Sequence, residues 1–203
     1  MSKSQNSYPP IGIAGAARAG KDTLCRGLRR MFSEFDIPSK RKSIAGDTIK
    51  SDFKELLNNS FNINSFTEDL EEKELIRPLM VEYGKIARIK TEGRYFIEKC
   101  DLDKDFVNII PDIRYTEYSR DEVQWLKNEV GGLLIFVERK NIFDANDTER
   151  VNNKIIKPMA DVRISWSNLN ENIQNEREQI DSFASDIITN YYLPLTKRTI
   201  SGS

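Results

Sequence analysis

The stretch "IGIAGAARAGKDT" (residues 11–23) begins with a short apolar run. It ends with two glycines five positions apart, Gly15 and Gly20, and Lys21 directly after the second. The apolar run reads as a short buried strand. From Lys21 the spacing becomes helical, with Leu24, Leu28, Met31 or Phe32, and Phe35 on one face. A glycine-rich turn between a strand and a helix lets backbone N–H groups and a helix N-terminus close around an anion. Gly15, Ala17, Arg18, Ala19, Gly20, Lys21, Asp22 and Thr23 are therefore expected to hold the phosphates of a nucleotide, with Lys21 as a mobile cation for the β and γ groups. Arg18 either lies over a phosphate or faces solvent. Asp22 stands where most such loops carry the Ser or Thr that holds Mg²⁺.

Working outward, strands and helices alternate. "RKSIA" (41–45) reads as a second strand, and "GDTIKSDFKELL" (46–57) as a helix with Ile49, Phe53, Leu56 and Leu57 inward. A polar stretch leads to a helix over "ELIRPLMVEYGKIARI" (74–89), with Leu75, Leu79, Tyr83 and, as a further candidate, Ile86 toward the core. "GRYFIEKC" (93–100) is another helix candidate. "DFVNIIPDIRY" (105–115) is a buried strand ending in an acid, and "SRDEVQWLKNEVGG" (119–132) a helix closed by glycines. "LLIFVER" (133–139) and "DVRISW" (161–166) are strands. The polar "NIFDANDTERVNNKIIKP" (141–158) between them has no clear period. "NEREQIDSFASDIITNYY" (175–192) is a last helix, with Ile180, Phe183, Ala184, Ile187 and Ile188 on one side. This order predicts an α/β fold: a parallel sheet of about five strands with helices on both faces. Residues 1–10 read as a flexible arm and 196–203 as a flexible tail. Residues 11–195 read as one domain, with a helical region at about 60–105 and a lid-like segment at about 139–158.

Composition narrows the chemistry. Of 203 residues 38% are apolar and 31% charged, with a net charge of −1, so no global basic field draws nucleic acid, although a local basic patch stays open. The chain has no histidine and two cysteines, Cys25 and Cys100, without a CxxC pair. That argues against a zinc site and against histidine-based acid–base or triad mechanisms. Buried free thiols are the plain reading of the cysteines. No apolar run approaches a membrane span, residues 1–10 lack the apolar core of a secretion signal, and the cytoplasm is the expected location. Whether the chain forms a homodimer is left open.

Three further groups carry candidate chemistry. Asp112 and Arg114 close the strand "NIIPDIR", where open parallel sheets place ligands. The carboxylate can orient Mg²⁺-bound water, and the arginine can hold a phosphoryl oxygen; an ordinary salt bridge at a strand end is the alternative. Arg77, Lys85, Arg88, Lys90 and Arg94 line the middle helices. Arg77 and Arg88, eleven residues apart, fall on similar faces and could converge on a second phosphate, or they belong to a solvated face. Tyr95 and Phe96 stack on a base or belong to the core. Arg139, Lys140 and Arg150 either close over a transferring phosphoryl group or line a plain surface loop.

Taken together and in order, these pieces resemble the deoxynucleoside monophosphate kinases of tailed bacteriophages, within the P-loop kinase group. "GAARAGKDT" is similar to their GxxxxGKDT loop, in which Asp after Lys is the norm. "IAGDTIK" is similar to a short motif that puts Ala45, Gly46 and Lys50 near the acceptor. "RPLMVEYG" matches at Arg77, Leu79, Met80 and Gly84, "GRYF" at Arg94 and Phe96, "IIPDIR" at Asp112 and Arg114, and "GGLLIFVER" at Arg139. "ADVRISWSNLNENI" is loosely similar to the closing pattern. Val81 replaces a usual Gln, Ala17 a common basic residue, and the lid has Glu149 but no histidine.

The resemblance implies a P-loop kinase fold with a helical acceptor-binding insertion and a lid. It implies ATP and Mg²⁺ as cofactors, a deoxynucleoside 5′-monophosphate as acceptor, and transfer to give the diphosphate. Lys21, Asp112, Arg114 and Arg139 would be catalytic; Lys50, Arg77, Arg88, Arg94 and Phe96 would bind the acceptor; Asp22, Thr23 and Asp112 would serve the metal. A hydroxymethylated pyrimidine within DNA is the alternative acceptor. A GTP-binding switch lacks support, because "NNKII" has no Asp to complete a guanine-reading NKxD motif. A degenerate nucleotide-binding scaffold is a third reading.

Overall fold

The computed structural model describes residues 8–166 and 173–196. The chain forms two compact units, one from residues 1–42 and 102–203 and the other from Ser43–Asp101.

The larger unit is built on a five-stranded sheet. Its strands are β1 (Ile11–Ala14), β2 (Ser39–Arg41), β3 (Val107–Ile110), β4 (Leu133–Arg139) and β5 (Val162–Trp166), in the order β2-β3-β1-β4-β5, with every pairing parallel. β1 is central: Ile11 lies opposite both Ile109 and Leu133, and Ala14 opposite Phe136. Buried on both faces, β1, β3 and the first five residues of β4 are apolar almost throughout, as parallel strands must be. The fully buried Asn108 in β3 is satisfied locally, its amide bonding Asp103 and Phe106 carbonyls and accepting from Asp103 N.

On one face Ile11, Ile13, Ile109, Ile135 and Val137 meet α1 (Lys21–Glu34) through Leu24, Leu28 and Phe32, and α7 (Ile173–Ile187) through Ile180, Ala184 and Ile187. α7 continues into a π-helical turn, Ile188–Tyr192. There Tyr192 packs edge-to-face on Phe32, and its hydroxyl donates to Pro9 O at 2.9 Å. On the other face, any side chain at Gly12 would strike Leu126 and Ile113. That face is covered by a short α5 (Glu122–Gln124), which passes into a π turn at Trp125–Glu129, and by α6 (Asp147–Met159).

Several expectations are corrected. Pro9 and Pro10 are buried, and Pro10 O accepts from Leu133 N, so the end of the expected arm is packed; residues 1–7, 167–172 and 197–203 lie outside the described residues. β2 runs over Ser39–Arg41, ahead of its expected position. Residues 147–159, expected to be irregular, form α6. Asn146 caps it by accepting from Glu149 N, and its inner face carries the buried amides Asn152 and Asn153 beside Ile156. Phe35 is 39% exposed, outside the apolar stripe of α1. Cys25 is buried and its thiol pushed up to about 11 by that burial, whereas Cys100 is half-buried.

The smaller unit begins at Ser43, earlier than the helical region read from sequence. It contains α2 (Gly46–Phe61), α3 (Leu70–Thr91) and α4 (Arg94–Lys99). Phe53 and Leu57 of α2 pack on Ile76 of α3, with Ile49, Met80 and Tyr83 at the margin. A polar clamp ties the three helices together. Asp52 accepts from the Tyr83 hydroxyl at 2.8 Å, the Tyr95 hydroxyl at 2.9 Å and Lys99 Nζ at 2.9 Å. Desolvation opposes the charged carboxylate, but these donors outweigh it and hold Asp52 below the ordinary carboxylate range. Leu56, Leu75, Leu79 and Ile86, expected inward, are 49, 71, 43 and 56% exposed.

Candidate nucleotide site

All five strands point the same way, so their C-terminal ends share one edge. β1, between β3 and β4, is where the chain order reverses across the sheet, the position at which open α/β sheets bind ligands. Three elements arrive at that edge: the loop after β1, Asp112 and Arg114 after β3, and Arg139 at the end of β4.

The loop can take only one path. Gly15 has φ +135°, and a Cβ there would lie 2.2 Å from Val137 O; Gly20 has φ +99°, and a Cβ would lie 2.5 Å from the Trp166 ring. Trp166 also donates its indole N–H to Ala19 O at 2.8 Å, clamping the loop from β5. Arg18 is exposed with φ +63°, in the left-handed region. Gly20 gives α1 no side-chain cap, unlike the caps that Asp69 and Asn146 supply to α3 and α6. The first N–H groups of α1 thus keep their donors for an anion.

Lys21 folds back over this loop, its Nζ donating to Gly15 O at 2.6 Å and Ala16 O at 2.8 Å. Burial first, and then Arg114, hold the ammonium below the usual lysine value; Glu149, Asp22 and Asp112 act in the opposite direction. A buried lysine beside an arginine favours an incoming anion, because phosphate charge offsets the repulsion between the two cations. Arg114 and Asp112 thus both act electrostatically on Lys21. Arg139 Nε is buried and makes no hydrogen bond to the described residues.

Asp22 and Thr23 lie at the start of α1. The Asp22 carboxylate is 3.4 Å from Arg41 Nε, its side chain 65% exposed, and Thr23 Oγ1 accepts from Arg26. Among the described residues no group of three or more Cys, Asp or Glu side chains converges as a metal cage. Asp112 and Thr23 carry the hard oxygen donors that could hold Mg²⁺ or its waters, which would offset phosphate charge there.

Three buried groups missed in the sequence support the Asp112–Arg114 segment. Glu122, 2% exposed, accepts from Arg114 N at 2.7 Å and Tyr115 N at 3.1 Å. Asp121, fully buried, accepts from Glu117 N and from Glu122 N. Asn152 of α6 accepts from Thr116 N and donates to Glu117. The only sequence signal was the Asp-Glu pair at the start of a helix, which reads equally well as a cap.

Glu149 is the residue whose place the sequence did not suggest. From the first turn of α6, one carboxylate oxygen accepts from Ala145 N at 2.6 Å and the other from Ala17 N, inside the loop, at 2.9 Å. A carboxylate thus takes a loop N–H that a phosphate oxygen would use. Glu149→Gln keeps the shape and removes the charge. It is expected to tighten binding of a non-hydrolysable nucleoside triphosphate about 5- to 20-fold by isothermal titration calorimetry, the worth of one charge-assisted hydrogen bond. Unchanged or weaker binding would show that Glu149 does not compete with phosphate.

The expected acceptor residues lie in the smaller unit. Lys50 Nζ sits 5.4 Å from the centre of the Phe66 ring. Arg77 is exposed, and Arg88, on the same flank of α3, is 7% exposed. Arg94 Nε is 3.6 Å from Glu98. Phe96 is 2% exposed and stacks edge-to-face on Tyr95, so of the two roles open to it the structure shows the core one.

The five-stranded parallel sheet, with helices on both faces and a glycine-rich loop and lysine between its central strand and α1, is the α/β arrangement that the sequence predicts. No protein-family model matches the sequence, and no curated protein matches it significantly. Among solved structures, the chain is similar to the Mycobacterium tuberculosis APS kinase CysC in complex with AMPPNP and APS, with 14% identity, 89% of this chain and 96% of that one covered, and a TM-score of 0.39. It is also similar to the dephospho-CoA kinase of Campylobacter jejuni, with 10% identity, coverage of 89% and 98%, and a TM-score of 0.39. No helix among the described residues is long and apolar enough to cross a membrane.

Proposed function

We propose that the protein is an ATP-dependent kinase that phosphorylates a deoxynucleoside 5′-monophosphate to the diphosphate. The observation that supports the reading is the charge arrangement on the loop: Lys21 bound to Gly15 and Ala16 carbonyls and influenced by Arg114 and Asp112, at the start of a helix with no side-chain cap. The deoxynucleotide acceptor rests on the sequence motifs, above all the Lys-Asp-Thr after the second glycine and the Pro-Asp-x-Arg at residues 111–114.

Phosphoryl transfer asks little covalent chemistry of a protein. Two anions must be held in line and their charge neutralised. The loop N–H groups and Lys21 hold the β and γ phosphates of ATP. Arg114 and Arg139 neutralise the equatorial oxygens of the transferring group. Arg77, Arg88 and Arg94 supply the cations for the acceptor phosphate, with Lys50 beside the same substrate. Mg²⁺, when bound, offsets phosphate charge, with Asp22, Thr23 and Asp112 as the residues to hold it or its waters. A monophosphate is already a nucleophile at neutral pH, so a chain without histidine can perform the reaction.

A coupled assay over dAMP, dCMP, dGMP, dTMP, dUMP and hydroxymethylated monophosphates with ATP tests this. Turnover of at least one free monophosphate is expected. Activity on none of them, with label passing from ATP to DNA, would favour the polymer acceptor instead.

A further inference from the structure

The polar stretch between α2 and α3 carries a buried hydroxyl to which neither the fold nor the proposed transfer gives a role. Ser65 is 2% exposed, and its Oγ finds no hydrogen-bond partner among the described residues. The loop around it is fixed. Ile63 N donates to Leu57 O at 3.1 Å, Phe66 N to the Asn64 side chain at 2.9 Å, Thr67 N to Asn64 O at 2.8 Å and Asp69 N to Thr67 Oγ1 at 3.2 Å. Ile63 also packs on the cluster of Phe53, Leu57 and Ile76. The hydroxyl therefore reaches solvent only if this loop comes apart. A buried hydroxyl without a partner lowers stability, and its retention calls for a use outside folding. None of the sequence motifs includes Ser65 or its neighbour Phe66.

The surroundings define what could partner it. Phe66 is 41% exposed, and the Lys50 ammonium lies over its ring, 5.4 Å from the centre. Glu68 lies within electrostatic range of the same lysine. Gly84, on the α3 flank of Arg77 and Arg88, approaches α2 so closely that an added Cβ would lie 3.3 Å from Ile49 Cδ1, one residue before Lys50. An exposed ring, a buried hydroxyl and a cation thus share one part of the smaller unit with the flank whose arginines the proposed reaction gives to the acceptor phosphate. An aromatic ring offers a stacking surface to any planar heterocycle. A hydroxyl, donor and acceptor at once, makes a directed bond to the polar edge of one heterocycle and not of another. We infer that Ser65 is a specificity-determining residue: its hydroxyl hydrogen-bonds the base edge of the acceptor monophosphate, and that base stacks on Phe66. The inference rests on the proposed deoxynucleotide acceptor and adds the residues that choose the base. Lys50 and the arginines meet charge and do not distinguish bases. A site with one directed hydrogen bond rejects a base unable to make it more strongly than an apolar site does.

Calorimetric titration of the full chain with each deoxynucleoside monophosphate, without ATP, tests it. Ser65→Ala is expected to bind the preferred monophosphate about 10-fold more weakly and to narrow its lead over the other bases. Binding of deoxyribose 5-phosphate, which has no base, is expected to stay unchanged. Phe66→Leu is expected to weaken every base alike, by about 10-fold. The thermal midpoint of ligand-free Ser65→Ala is expected to equal or exceed that of the wild type, because no hydrogen bond of the free protein is lost. Wild-type affinities and base ranking in Ser65→Ala would overturn the inference and leave the acceptor reading standing. A lowered midpoint with unchanged binding would overturn it too, by making the hydroxyl a structural group held by water. Equal weakening of deoxyribose 5-phosphate would also overturn it, since Ser65 would then meet the sugar or phosphate. A wild-type chain that binds none of the monophosphates would remove the acceptor reading itself, and this inference with it.

Discussion

Lys21→Ala is expected to lower kcat for phosphoryl transfer by about 10³-fold, with a much smaller change in KM for the acceptor. Two of the ammonium's three donors bind the loop at Gly15 and Ala16 carbonyls, so the side chain shapes the loop as well as carrying the charge proposed to meet the nucleotide. Removing it takes away the only lysine of the loop itself and leaves Arg114 to offset phosphate charge alone from the β3 side. Lys21→Arg separates charge from geometry. The guanidinium keeps the positive charge but cannot place a compact ammonium between two carbonyls, so only partial recovery is expected. Steady-state kinetics with a thermal melt on the same samples measure this. Wild-type turnover in folded Lys21→Ala would remove Lys21 from the reaction.

Gly15→Ala is expected to be strongly destabilising. A Cβ at this position meets the backbone oxygen of Val137 at 2.2 Å, and the residue sits at φ +135°, which an L side chain rarely adopts. Neither obstacle can relax cheaply, because Val137 belongs to β4, the direct neighbour of β1. Steric overlap and backbone strain together are expected to cost about 3–5 kcal/mol, a large share of a domain's stability. Urea denaturation should show this as a lowered midpoint with an unchanged slope. Gly131→Ala, where φ is +64° but no atom lies within 4 Å of the added carbon, provides the comparison. It is expected to cost about 1 kcal/mol, the strain part alone. Equal costs at the two positions would show that the contact with Val137 is unimportant.

How far the sequence could be read differs by element, for physical reasons. The β1–loop–α1 unit was legible because its signals are local: apolar run, glycine spacing and the change to helical period coincide within residues 11–32. The β4 and β5 strands were legible for the same reason. α6 was not, because its inner face is built partly from Asn152 and Asn153, whose burial is satisfied by hydrogen bonds to Glu117, Thr116 and Asp144. Apolar periodicity is blind to such a face. In α3 the strongest apolar row, Leu75 and Leu79 with Ile86, pointed outward, while the structure buries Ile76 beside Met80 and Tyr83. A helix with two usable apolar rows does not declare which one its neighbour covers; Phe53 and Leu57 of α2, with Asp52 binding Tyr83, decide it.

The candidate site divides in the same way. The positions of Lys21 at the start of α1 and of Asp112 and Arg114 after β3 were readable from motif and strand pattern. Glu149 was not, because its bond to Ala17 N joins residues 132 positions apart in the chain. Nor was Glu122, whose buried carboxylate serves two backbone N–H groups of the loop that carries Arg114.

The central claim is transfer of a phosphoryl group from ATP to a free deoxynucleoside monophosphate. Its most direct test follows γ-labelled ATP with each monophosphate in turn, in the presence of Mg²⁺, separating products by chromatography. The expected result is label in a deoxynucleoside diphosphate, in an amount equal to the ADP formed and absent with Lys21→Ala. Label released only as inorganic phosphate, or appearing in no nucleotide product, would contradict it.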